Sequence, residues 1–155
     1  MNKHNGINLS KITLIEYIES IHVDSMVINS VEGTALPELQ PGKTFQQLYH
    51  TPDTARFSAE PSTGDEGARG YYTLEVQAEV PKLTQGRFSL LDELSGKQLI
   101  VRLTTAEGAL IILGTHKSPG RMIVGGSIGA RVADPHQMQI SITARSVYGL
   151  LLQRT

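Results

Sequence analysis

The chain has 155 residues, 14 Lys plus Arg against 15 Asp plus Glu, and no cysteine. A formal charge of −1 supplies no bulk field to draw it onto nucleic acid or anionic lipid, and without cysteine there are no disulfides, thiolate metal sites or cysteine nucleophiles. The length suits a single domain over residues 1–155, and the absence of a run of about 18 apolar residues or of an apolar leader predicts a soluble, cytoplasmic product.

Residues 12–18 (ITLIEYI) fit strand and helix periods imperfectly, and their β-branched content favours a strand. A second short element is expected over residues 22–31, closed by Glu32-Gly33 and by Pro37 and Pro41-Gly42, which a regular element is not expected to tolerate. Residues 44–50 form a third, with Phe45, Gln47 and Tyr49 opposite Gln46 and Leu48. Residues 53–70 are rich in glycine, proline and charge, and the stretch 58–69 (SAEPSTGDEGAR) is expected to be a mobile loop.

Residues 71–81 alternate strictly, with Tyr72, Leu74, Val76, Ala78 and Val80 on one face, and predict a strand. Phe88, Leu90, Leu91 and Leu94 recur at helical spacing within residues 83–94, stopped by Ser95-Gly96. Residues 97–114 (KQLIVRLTTAEGALIILG) read as a β-hairpin: Leu99, Val101 and Leu103 alternate with more polar positions, and only Ile100 breaks the rhythm. The return run 109–113 is apolar on both faces and belongs inside a sheet. A loop at 116–120, a short run at 122–124, alternation over 137–144 and a last apolar run at 147–152 complete the chain. The pattern is mainly β: an antiparallel β-sandwich or barrel with one short helix, in which Leu103 and Ile140 point into one core.

Candidate chemistry is sparse. His4, His22, His50, His116 and His136 show no metal-ligand spacing, and Asp92-Glu93 read as a solvated helix face. The glycines of residues 125–129 lack the lysine and helix of a phosphate loop and read as a turn or bulge between strands. His116, Lys117 and Arg121 make a small basic cluster on a loop. No catalytic, cofactor-binding or metal-ligating residue is assigned.

The stretches Phe57-Ser58-Ala59-Glu60-Pro61, Leu74 through Pro81, Leu91-Asp92-Glu93-Leu94, Leu99 through Thr104, and Leu113-Gly114-Thr115 ahead of Pro119 occur in an order that resembles small virion-structural proteins of tailed phages and prophages, of neck, tail or baseplate type. The resemblance covers about half the chain, leaves residues 1–50 outside it and carries over no site residue. It implies a non-enzymatic particle component that forms homo-oligomers and docks to other particle proteins, present in the bacterial cytoplasm during assembly and in the virion or phage-like particle when mature. On this reading the 58–69 loop is an arm that orders against a neighbouring subunit. Two other readings stay open: a binding module for a carbohydrate or peptide, with Tyr49, Tyr71, Tyr72 and Tyr148 as aromatic surface, and a hydrolase using His116 with Asp92 or Asp134.

Overall fold

A computed structural model describes residues 11–61, 71–81, 85–126 and 137–153. The chain runs through β1 (Ile12–Glu19), a 3₁₀ turn (Ser20–His22), β2 (Val23–Asn29), β3 (Thr34–Leu39), β4 (Gln46–Leu48), β5 (Arg56–Pro61), β6 (Tyr72–Pro81), α1 (Gln85–Ser95), β7 (Leu99–Thr105), β8 (Leu110–Leu113), β9 (Arg121–Gly126), β10 (Gln137–Ser146) and β11 (Leu151–Gln153). A seven-stranded sheet, in the order β2-β3-β11-β8-β7-β1-β4, faces a four-stranded sheet, β5-β6-β10-β9. Both sheets are open, so the architecture is sandwich-like and not a barrel. Every pairing is antiparallel except β3 with β11.

The 97–114 hairpin is formed by β7 and β8, in register from Val101 opposite Leu113 to Thr104 opposite Leu110. Its turn is closed by Thr105, whose N–H donates to the Ala109 carbonyl and whose Oγ1 accepts from the Ala109 N–H. These bonds satisfy a threonine that is only 2% exposed. β8 lies between β7 and β11, which is why Ile111, Ile112 and Leu113 are all fully buried.

The main core lies between the sheets. Leu74, Val76, Ala78 and Val80 of β6 and Met138, Ile140, Ile142 and Ala144 of β10 meet Ile15, Tyr17, Leu99, Val101, Leu103, Ile111 and Leu113. Large and small side chains complement one another across β6 and β10: Ile140 stands opposite Ala78, and Ala144 opposite Leu74. The helix α1 contributes Leu91 and Leu94 to this core, while Leu90 faces solvent.

The apparent breach at Ile100 has a cause. With Ile18, Val23, Ala35, Ile112 and Leu151 it forms a second, smaller core on the opposite face of the large sheet, flanked by Met26, Ile28, Leu39 and Phe45. The large sheet is therefore apolar on both faces over its centre. The ambiguous period of residues 12–18 also resolves. A register irregularity between Ile12 and Leu14 lets Ile12, Ile15 and Tyr17 share the inward face at uneven spacing, so the segment is a strand with a bulge-like insertion.

Three expectations are corrected. Ser58 through Pro61 are strand, paired with β6 from Ser58 opposite Glu75 to Pro61 opposite Tyr72, so a loop over the whole of 58–69 does not hold. As an edge strand with mostly exposed side chains, β5 can be polar and end on proline, which disguises it in the sequence. Residues 62–69 lie outside the described residues. Pro37 lies inside β3, opposite Met26, on a stretch beyond the two-residue pairing with β11, the one-sided setting in which proline is compatible with a sheet. The third element is shorter than residues 44–50: β4 spans Gln46–Leu48, with Leu48 buried and Tyr49 beyond its end exposed.

Candidate functional site

Two surface clefts gather the polar side chains that chemistry would require. The first, lined by Tyr17, Glu19, His22, Gln46, Glu93 and Lys97, joins residues far apart in sequence. Lys97 Nζ donates to Glu19 Oε1 at 2.7 Å and to Glu93 Oε1 at 3.0 Å, and His22 Nε2 lies 3.8 Å from Glu19 Oε2. Both carboxylates hold the Lys97 ammonium in its charged form, raising its pKa. Burial, reinforced by Glu19 and Glu93, likewise raises that of Tyr17, whose hydroxyl donates to Gln46 Oε1 at 3.2 Å. Neither shift runs in the direction that makes a nucleophile or base at neutral pH. The cluster reads as an ion-paired tie between β1 and the end of α1.

The second cleft, of about 490 Å³, lies where β2 meets the end of β10 and the loop after β8. Met26, Ile28 and Val147 form its apolar part, Tyr71 and Tyr148 its aromatic part, and His116, Lys117 and Arg145 its basic part. The Arg145 guanidinium sits 5.1 Å from the centre of the Tyr71 ring, a cation–π distance. The loop carrying His116 and Lys117 is tied by reciprocal bonds: the Thr115 N–H donates to the Ser118 carbonyl at 3.0 Å and the Ser118 N–H to Thr115 Oγ1 at 3.1 Å. On the far rim the Tyr148 N–H donates to Ser146 Oγ at 3.1 Å. Both rims are thus held by local bonds.

The expected basic cluster is here, enlarged. Lys117 and Arg121 share the neighbouring cleft, of about 500 Å³, with Arg145 from β10. Arg145 was not legible as a site residue, because only the β9–β10 register, Arg121 opposite Thr143, brings it alongside. Of the four tyrosines, Tyr71 and Tyr148 converge on the cleft, whereas the Tyr72 ring lies against Gly149 and Tyr49 follows β4 at the other edge of the large sheet.

Other candidates disperse. Glu93 turns to Lys97, so Asp92 and Glu93 form no carboxylate pair. His116 lines the second cleft without Asp92. His4, Asp134 and His136 lie outside the described residues, as do residues 127–129, whereas Gly125 and Gly126 are strand residues opposite Gln139 and Met138. Among the described residues no three His, Asp or Glu side chains converge as metal ligands, and no helix is long and apolar enough to cross a membrane.

On the outer face of the small sheet, Ser141 Oγ donates to Glu75 Oε1 at 2.5 Å and Gln77 Nε2 to the same oxygen at 3.0 Å. The Ser141 bond first, then the Gln77 bond, holds the Glu75 carboxyl below its ordinary pKa. A lowered folded-state pKa contributes stability that is present above the unfolded-state pKa and is lost as the pH falls through the folded one. Ser141→Ala is expected to move the Glu75 titration midpoint, followed by carboxyl NMR, back up towards the ordinary range and to weaken the loss of stability on acidification. An unmoved midpoint would show that the Ser141 bond does not set the shift.

No family model, curated protein or solved structure matches the chain.

Proposed function

We propose that this chain is a non-enzymatic structural or assembly protein of a phage-like particle, a tail, neck or baseplate component, acting through self-association and docking to neighbouring proteins. The observation that carries self-association is the edge formed by β2. The other three edges are guarded: β4 has three residues, β5 carries Arg56, Glu60 and Pro61, and β9 begins with Arg121 and ends in glycine. By contrast β2, an edge among the described residues, has its one charge, Asp24, and its one register irregularity confined to the first three of its seven residues; the rest carries no charge or proline, and Val27 on it is 55% exposed beside the exposed Leu36 across the hairpin. Such an edge is a template for pairing with another chain. The order of features from Phe57 to Pro119 supports placing that assembly in a virion-type particle, formed in the bacterial cytoplasm.

Light scattering tests the reading. A mass that is a multiple of 16.9 kDa is expected for the parent. Val27→Lys, which adds an edge charge on an exposed side chain, is expected to shift the mass to the monomer with little change in melting temperature. A parent that stays monomeric at high concentration would remove self-association. The convergence of Tyr71 and Tyr148 on one cleft favours a second reading, a binding module for a peptide or carbohydrate, and a metabolic gene neighbourhood would favour it over the first.

A further inference from the structure

We infer that the Tyr71/Tyr148 cleft and the cleft beside it form one docking trough for an extended acidic segment of a partner protein that carries an aromatic or apolar side chain. Lys117, Ser118 and Arg145 line both clefts, so the two adjoin. Their joint lining holds Lys117, Arg121 and Arg145 and, among the described residues, no carboxylate. Lys11, Lys97 and Arg102 are paired with Asp53, Glu19 and Glu16, and among the described residues no ion pair is made by Lys43, Arg56, Lys117, Arg121 or Arg145; Lys43 and Arg56 line separate clefts, whereas the last three gather in adjoining ones. In a chain with a formal charge of −1, this groove, positive among the described residues, is a local feature that suits an anionic occupant.

Spacing and apolar content narrow the occupant to a peptide. Arg121 faces Thr143 across the β9–β10 pair, so Arg145 is its diagonal neighbour, at the roughly 7–8 Å typical of such pairs. An extended peptide rises about 3.3 Å per residue, so carboxylates at alternate positions match that separation. At the other end, Val147 is 67% and Tyr148 44% exposed beside Met26 and Ile28, apolar surface that an aromatic side chain would cover. Single-stranded nucleic acid presents phosphates at comparable spacing, but phosphate-driven affinity scales with the number of phosphates neutralised, and this groove offers Lys117, Arg121 and Arg145 alone among its Lys and Arg lining. The bonded Thr115–Ser118 turn holds Lys117's loop in place before binding, which lowers the ordering cost.

This inference rests on the docking reading, but its test does not involve the solution mass, so either can fail alone. The full-length protein is titrated at low salt against fluorescent acetylated peptides with Glu at two alternate positions and Phe, Tyr or Leu two residues further on, so that all three side chains share one face of the extended chain, against their Gln counterparts, and against a short labelled oligothymidylate. The acidic set is expected to bind about tenfold or more tighter than the Gln set, consistent with charge-assisted hydrogen bonds. The double variant Lys117→Gln, Arg145→Gln should lose about tenfold or more of that affinity at an unchanged melting temperature. Equal binding of the Gln set, no binding of any peptide, undiminished binding by the double variant, or a preference for the oligothymidylate would each overturn the proposal.

Discussion

Leu103→Asp is expected to leave no cooperatively folded protein at room temperature, while Thr104→Asp melts within a few degrees of the parent. Leu103 has no exposed surface and faces Ile111 across β7 and β8 and Ile15 across β1 and β7. Replacing it forfeits about 2–3 kcal/mol of apolar burial. It also places a carboxylate among isoleucines, leucines and valines with no cation in the core, a further cost of several kcal/mol even if the acid neutralises. Together these approach the whole stability of an ordinary domain, about 5–15 kcal/mol. Thr104 is on the other face and part-exposed, so its carboxylate would reach water. Circular dichroism melts of the two variants settle the register. If Leu103→Asp melted near the parent while Thr104→Asp unfolded, the pairing of β7 would be out by one residue.

Gly114→Ala is expected to cost about 2–4 kcal/mol, an unusually large effect for the addition of one methyl group. Gly114 is where the chain leaves β8 of the large sheet for the small one, and it adopts φ +95, outside the comfortable range of L side chains. A Cβ there would meet the Gly120 nitrogen and the Leu99 carbonyl oxygen, each at 3.0 Å. Those two atoms bond to each other: the Gly120 N–H donates to the Leu99 carbonyl at 2.7 Å, and the Leu99 N–H returns a bond to the Gly120 carbonyl at 2.9 Å. The bridge ties β7 to the start of β9, so a shift that relieves the methyl group must loosen the link between the sheets. A denaturant midpoint for Gly114→Ala equal to the parent's would show that the crossing is slack. Gly108→Ala is the comparison. It shares a positive φ, +87, but has no atom within 4 Å of the added carbon, so its cost should be the backbone penalty alone.

Alternation made β6 and β10 legible because each buries one face against the opposite sheet and leaves the other in water, so every second residue had to be apolar. The hairpin of β7 and β8 was legible because its turn residues interrupt two apolar runs. The mainly β class followed from these elements together. By contrast, β5 reads as loop because an edge strand needs few apolar side chains, and helical spacing alone does not say that Leu91 and Leu94 meet the core while Leu90 faces solvent.

The sequence by itself determined that β6 and β10 have one buried face, that the chain is β-rich with one short helix, and that His116, Lys117 and Arg121 lie close together. Only the tertiary structure decided that the sheets stay open, that Ile100 serves a second core, and that β2 stands at an open edge. It also decided that Arg145, Tyr71 and Tyr148 join the basic loop in one trough. The physical reason is the same throughout. Alternation reports which way a side chain points relative to its own strand, whereas strand order and register determine which strands become neighbours, and those depend on contacts between residues distant in the chain.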